Sequence, residues 1–222
     1  MDGDSLDERT FVRWVIAVYF NLVNGCREGA LSSINTREAI LVAARDLFFE
    51  SGLAGTSMRD IAQLTGLAQS SLYNHFASKD ALFMAVMERS FDLVDGAIRE
   101  MFEAEPSIGL LREVLRRHAL QHIHGIKETT VFESEGRHMP DAVRRRVIEL
   151  RGIYEDRFYT LAQRLADTER ITRDETRTRM RMLLGAGVEI SRWFQPGRRL
   201  NEEQIADVYA DFGLASVEAK PS

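Results

Sequence analysis

The sequence has little cysteine and little proline, with one cysteine and four prolines among 222 residues. A single thiol, Cys26, excludes an intramolecular disulfide and a cysteine-based zinc site, and it is typical of a reducing compartment. We therefore expect a cytoplasmic protein. Few prolines, no repeat and almost no alternation of apolar and polar residues predict an all-α fold. With 45% hydrophobic residues, the chain can build a core for one or two domains.

Long apolar runs are also absent. Ten of the thirteen residues from Val12 to Asn24 are apolar, but Arg13 and Asn21 interrupt the run. The run is too short to span a bilayer, and its acidic start differs from that of a signal peptide. We interpret residues 1–34 as an N-terminal extension that forms an extra helix. A membrane-surface anchor and upstream sequence from a wrong start site are the alternatives.

Positive charge is scarce as well, since the formal net charge is -5 at pH 7. Between Thr36 and Asp80 there are four basic residues and five acidic ones. This balance counts against binding nucleic acid through bulk electrostatics. Affinity for DNA would then depend on helix N-termini, a few placed cations and two modules acting together.

The stretch Met58–Phe76 is predicted to form two short helices joined by a tight turn. Ser57 and Asp60 have the spacing of a capping box, and Gly66 can take the left-handed conformation that ends a helix. The outer face of the second helix is polar, short-chained and uncharged. Its residues are Ser70, Ser71, Tyr73 and Asn74. Such a face suits a helix that reads base edges, and a solvated face is the simpler alternative.

Three motifs between Thr36 and Met87 make this part of the chain similar to the TetR family of transcriptional regulators. They are A-x-x-L-F-x-x-x-G at Ala44–Gly52, G-T-S-M-R-D-I-A at Gly55–Ala62 and L-Y-x-H-F-x-S-K at Leu72–Lys79. One residue departs from the family pattern. Ala68 stands where the family usually has serine before the recognition helix, and we expect this missing cap to cost roughly 1 kcal/mol.

The resemblance implies a helix-turn-helix DNA-binding domain at residues 35–80, a helical ligand-binding and dimerisation domain at 81–216, and a tail at 217–222. It implies a homodimeric repressor that a small-molecule effector releases from a palindromic double-stranded DNA operator, without a membrane or a further cofactor. The residues expected at base edges are Gln69, Ser70, Ser71 and Asn74. The remaining expected DNA-binding residues are Thr56, Ser57, Arg59, Tyr73, His75 and Lys79.

The second half of the chain has only amphipathic helical patterns. They cover Ile108–Ile126, Pro140–Leu165, Thr172–Phe194 and Ile205–Leu214. Thr172 with Glu175, and Asn201 with Gln204, have the spacing of capping boxes. The resemblance implies that the last two helices form a dimeric four-helix bundle. The alternative is that these helices only close their own core.

Residues 131–158 and 189–212 resemble the ligand domain of TetR-family repressors of fatty-acid and steroid breakdown that respond to acyl-CoA thioesters. The ligand-binding residues that this resemblance implies are Arg137, Tyr154, Phe158, Arg192 and Trp193. The alternative for each aromatic is an ordinary place in the core. The arginines at 144–146 are interpreted as a solvated face, with a contact to the phosphates of coenzyme A as the alternative.

His118 and His122 are four residues apart and His124 follows, which is compatible with metal binding. Without a fuller ligand motif, exposed or hydrogen-bonded histidines are the favoured interpretation. No nucleophile elbow, glycine-rich phosphate loop or supported carboxylate pair indicates an enzyme. The two functions retained as alternatives to a regulator are a helical protein-interaction module and an all-helical enzyme that does not bind DNA.

Overall fold

The computed structural model describes residues 30–125, 139–166 and 173–218, together with residues 127, 130, 131 and 135. These residues form eight α-helices and one 3-10 helix, and they contain no strand. The α-helices are α1 (Ala30–Gly55), α2 (Met58–Thr65), α3 (Gln69–His75), α4 (Lys79–Gly96), α5 (Ile108–His124), α6 (Asp141–Ala166), α7 (Arg173–Trp193) and α8 (Glu202–Glu218). The 3-10 helix covers Arg99–Glu103. The predicted all-α fold is confirmed.

None of the described helices is long and apolar enough to cross a membrane. The chain divides into two compact units, Met1–Val86 and Met87–Ser222, so helix α4 contributes residues to both. The boundary predicted between residues 80 and 81 divides the same helix nearer its start.

Helix α1 starts at Ala30. Asn35 and Thr36, whose side chains are of the type that caps a helix, lie inside it. The five residues from 30 to 34 include no glycine or proline, so nothing in them ends a helix. At its other end the helical backbone breaks at Gly52, the last residue of the first motif, with φ 72° and ψ 169°. Residues 1–29 of the predicted extension lie outside the described residues.

The core of the first unit joins helix α1 to the three helices that follow it. Ile40 and Phe48 of α1 are buried, as are Ile61 of α2 and Leu72 of α3. The ring of Phe48 meets that of Phe83 edge to face, with 5.2 Å between centroids. Short helices such as α2 and α3 are marginal alone, so this packing is what stabilises them.

In the second unit, helix α5 packs against α6, α7 and α8. Its buried residues Leu111, Val114 and Leu115 belong to the same core as Phe158 of α6 and residues of α7 and α8. The buried side chains that α7 and α8 add are Leu183, Leu184, Ile190, Ala206 and Tyr209. Much of the apolar surface of the last two helices therefore closes the core of this unit.

Gly187 allows the closest approach between these helices. A Cβ atom at this position would lie 2.4 Å from Nε2 of His118 and 3.0 Å from the hydroxyl oxygen of Tyr209. Real Cβ atoms do not approach other atoms so closely, so a side chain at residue 187 would force the ring of His118, or the helix that carries it, to move. Two residues earlier, a Cβ at Gly185 would meet nothing within 4 Å.

We predict that Gly187→Ala lowers the free energy of unfolding by about 1–3 kcal/mol, because the methyl group overpacks the contact with His118. Gly185→Ala is the matched control, and it should raise the same free energy by roughly 0.5–1 kcal/mol through helix propensity. Urea denaturation followed by circular dichroism measures both values. Equal effects of the two substitutions would contradict the packing assigned to Gly187.

Candidate functional site

The predicted capping box at the start of α2 is confirmed. The amide of Asp60 donates to Oγ of Ser57 at 3.2 Å, and the amide of Ser57 donates to Oδ2 of Asp60 at 2.9 Å. The hydroxyl of Ser57 also donates to this carboxylate, and these bonds lower the pKa of Asp60. A negative charge is thus held at the positive end of the helix dipole.

The turn between α2 and α3 depends on Gly66. Its φ of 71° and ψ of 14° lie in the left-handed region, as predicted. Its amide donates to carbonyls of the last turn of α2, and the amide of Leu67 donates to the carbonyl of Ala62 at 3.0 Å. The reversal of the chain therefore leaves few helix-end carbonyls without partners.

Helix α3 is buried on one face and open on the other. Leu72 and Phe76, the residue that follows the helix, are buried. Of the polar residues, Gln69, Ser70, Tyr73 and Asn74 are exposed, while Ser71 and His75 are half-buried. The structure thus brings the predicted base-reading residues onto one short helix. The predicted weak cap is also present, since Ala68 precedes the helix and makes no side-chain cap bond.

One of the predicted DNA-binding residues is placed inside the unit. Thr56 is buried, and its hydroxyl lies within hydrogen-bond distance of the carbonyl oxygens of Leu47 and Gly52, at 3.1 and 2.8 Å, to which its one proton is donated. The positive φ of Gly52 turns the chain so that the hydroxyl of Thr56 meets the end of α1. Its side chain therefore stabilises the junction of α1 and α2 and is not presented to a phosphate.

Lys79 also contributes to this junction. Its ammonium donates to the carbonyls of Leu53 and Thr56 at 2.6 and 2.9 Å. Because Lys79 begins α4 directly after α3, these two bonds tie the end of the helix-turn-helix to its start. Ser57 and Arg59, at the start of α2, are exposed.

The residues predicted to bind a ligand do not form a single cluster. Tyr154 and Phe158 are buried side by side on α6, with ring centroids 5.2 Å apart. Arg192 and Trp193 are exposed at the end of α7, where Arg192 pairs with Glu189 at 3.0 Å. Arg137 lies outside the described residues, as does Thr172 of the second predicted capping box.

His118 is the buried residue whose surroundings sequence reasoning missed. Its Nε2 lies 3.1 Å from the carbonyl oxygen of Leu184 and must donate, so its Nδ1 accepts the hydroxyl proton of Tyr154 at 2.8 Å. Burial lowers the pKa of His118 to about 4, so the ring is neutral at pH 7. Its partners Tyr154 and Leu184 lie 36 and 66 residues further along the chain, too far to be recognised by spacing.

The three histidines of α5 have separate environments. The ring of His122 packs edge to face on His118 with centroids 4.6 Å apart, whereas His124 is exposed and pairs with Glu202 at 2.9 Å. Burial is the main cause that lowers the pKa of His122. In the described parts of the chain, no group of three or more histidine, cysteine, aspartate or glutamate residues is arranged to hold a metal ion.

The basic run at 144–146 is used largely in surface ion pairs. Arg144 donates to the carbonyl of Met139 at 3.0 Å, Arg145 is exposed, and Arg146 pairs with both Glu88 and Glu149 at 3.0 Å. These contacts favour the interpretation of this run as a solvated face.

Two family models match the chain. Residues 40–86 match the bacterial regulatory proteins of the tetR family, and residues 105–217 match the tetracyclin repressor-like C-terminal domain. The HTH-type transcriptional repressor KstR2 of Mycolicibacterium smegmatis is 24% identical over 188 residues, which cover 82% of this chain and 90% of the relative. The HTH-type transcriptional regulator RutR of Escherichia coli is 33% identical over 92 residues, which cover 41% of this chain and 42% of RutR.

Among solved structures, the chain is similar to AibR in complex with isovaleryl coenzyme A and operator DNA. The TM-score is 0.71 at 26% identity, and the match covers 80% of this chain and 97% of AibR.

We predict that Ala68→Ser raises the free energy of unfolding by about 0.5–1 kcal/mol, because a hydroxyl oxygen at this position can accept a hydrogen bond from a backbone amide in the first turn of α3. Ala77→Ser, an exposed change in the segment after α3, is the control and should alter it much less. Chemical denaturation of the two variants measures the difference. Equal stabilities would contradict the assignment of residue 68 as an uncapped helix start.

Proposed function

The chain belongs to the TetR family of bacterial transcriptional regulators, and from this premise we propose that it is a homodimeric repressor released from a palindromic operator by a small-molecule effector. The observation that carries the proposal is the exposed polar face of α3, anchored from behind by Leu72 and Phe76. Such a face can enter a major groove without displacing the core of its unit.

Recognition of the DNA sequence is assigned to four side chains of α3. They are Gln69, Ser70, Ser71 and Asn74. Amides can make paired hydrogen bonds to adenine, and hydroxyls can bond to any base, so the set suits direct readout without charge. Ser71 is half-buried and would contribute less than the exposed Asn74.

Contacts to the sugar–phosphate backbone are assigned to Ser57, Arg59, Tyr73, His75 and Lys79. Two of the three donors of the Lys79 ammonium bond to carbonyls, which leaves one for a phosphate oxygen. Arg59 at the start of α2 adds a full charge where the helix dipole also favours an anion. Phosphate contacts of this kind orient the protein on DNA without reading the sequence.

The dimer is assigned to an exposed apolar face of the last two helices. Met182 and Trp193 of α7 are 71% and 56% exposed, and Val208 and Phe212 of α8 are 60% and 62% exposed. Large apolar side chains on two adjacent helices are costly to leave in water, and a second copy would cover them. Trp193 therefore suits the dimer interface better than the ligand pocket predicted for it.

The effector is proposed to be hydrophobic, with an acyl-CoA thioester as the leading class. The support is the likeness to AibR, whose structure contains isovaleryl coenzyme A, together with the aromatic core around Tyr154 and Phe158. An effector that binds one of two states more tightly shifts the population toward that state, and a shift away from the DNA-competent state lowers operator affinity. As a regulator of this kind, the protein would act in the cytoplasm and need no catalytic residue.

Selection from random double-stranded DNA should recover a palindromic site, and Asn74→Ala should weaken binding to that site about 10-fold or more, because one base contact is lost. Tyr73→Phe should weaken binding to the selected site and to random DNA by similar factors, because a phosphate contact carries no sequence information. Fluorescence anisotropy at several salt concentrations measures both effects.

Ser51→Ala, an exposed change on α1, is the control for these DNA measurements and should bind as the unaltered protein does. If no sequence were enriched, or if Asn74→Ala and Tyr73→Phe behaved like the control, the assignment of α3 to DNA reading would be wrong.

We predict that Phe212→Glu converts the dimer to monomers at micromolar concentration, because a carboxylate would be buried opposite its symmetry mate. Ile148→Glu, which adds the same charge at a 63% exposed residue of α6, should leave the dimer intact. Sedimentation velocity measures the species. A dimer that survives Phe212→Glu but not Ile148→Glu would contradict the proposed interface.

A further inference from the structure

An open groove lies between the 3-10 helix and α6, with a volume of about 410 Å³. Its apolar lining includes Phe102, Ile153 and Leu161, and its cationic lining consists of Arg157 and Arg164. The groove therefore offers apolar surface beside two guanidinium groups. This combination suits a molecule that has an apolar chain and an anionic head.

Two carboxylates also line the groove, and they do not cancel its positive charge. Asp156 accepts a bond from Nη2 of Arg177 at 2.8 Å, so its charge is paired with a cation that is not part of the lining. Glu103 belongs to the last residues of the 3-10 helix and is exposed, where water screens it. Among the described residues, neither Asp156 nor Glu103 forms an ion pair with Arg157 or Arg164.

Arg157 has a second role outside the groove, because it forms an ion pair with Asp95 near the end of α4. The carboxylate of Asp95 is largely buried and also pairs with Arg99 at 2.5 Å. A single guanidinium on α6 is thus shared between the groove and the end of α4, the helix that begins at Lys79 directly after α3.

We propose that the groove binds an amphiphilic anion, an alkyl chain with a carboxylate or phosphate head, and that the head competes with Asp95 for Arg157. The chain would lie on Phe102 and Leu161, and Arg164 would provide the second contact to the head. The inference rests on the proposed function, since it makes this groove an effector site and the Asp95–Arg157 pair its connection to α4.

The exchange of partners does not leave Asp95 as an isolated buried charge. Removing one partner of a buried ion pair is usually strongly destabilising because the other charge is left without compensation. Here Arg99 continues to pair with Asp95, so the end of α4 can separate from Arg157 at a moderate cost. A paired guanidinium also binds an incoming anion in competition with the carboxylate, so removal of the Asp95 charge should strengthen binding.

Isothermal titration of the full chain with decanoate, decyl phosphate and uncharged 1-decanol tests the site. Both anions should bind at least about 10-fold more tightly than 1-decanol, since charge-assisted bonds to arginine are among the strong ones. Arg157→Gln and Arg164→Gln should each lower the affinity for the two anions about 10-fold. Asp95→Asn should raise that affinity about threefold. Arg199→Gln, an exposed change between α7 and α8, is the control.

Anions that bind no better than 1-decanol, or an Arg164→Gln variant that matches Arg199→Gln, would overturn the inference. Arg164 is not part of the Asp95 pair, so its variant decides the result even if Arg157→Gln lowers stability. The two head groups separate a carboxylate site from a phosphate site. Binding of the same variants to the selected DNA without ligand isolates the proposed function, because loss of the groove alone leaves that binding intact.

Discussion

The proposed DNA-reading surface depends on a helix that is too short to form by itself. Helix α3 has seven residues and no side-chain cap, whereas isolated helices need about 12–15 residues to be even marginally stable. It persists because Leu72 and Phe76 are buried and because Lys79 ties the segment after it to the junction of α1 and α2. The orientation of the base-reading face is therefore set by the first unit as a whole.

Charge limits what this surface can do alone. Four basic residues against five acidic ones between residues 36 and 80 provide little non-specific attraction to DNA. Among the cations, Lys79 is partly engaged with carbonyls, and Arg37 lies over the ring of Phe76 at 5.1 Å. In the proposed dimer, close polar fit and two linked modules would supply the affinity. The exposed apolar face of α7 and α8 would then matter for operator binding as much as α3.

Features with a local cause could be predicted from the sequence. The capping box at Ser57, the left-handed Gly66 and the uncapped Ala68 involve residues within a few positions of one another, and each is present in the structure. Features that require distant parts of the chain could not be predicted. The ammonium of Lys79 bonds to the carbonyls of Leu53 and Thr56, 26 and 23 residues earlier, and His118 of α5 packs against α7 because Gly187 lacks a side chain. Such contacts form only when helices pack against one another, so the spacing of residues in the sequence does not predict them.

In the proposed dimer, two recognition helices about 34–36 Å apart bind DNA together. The ratio of affinities for the selected palindrome and for DNA that carries one half-site, at a fixed salt concentration, measures this cooperation. Because the second contact is intramolecular, the palindrome should bind about 10²–10⁴-fold more tightly. Equal affinities for the two DNAs, or one protomer bound per palindrome, would contradict the account.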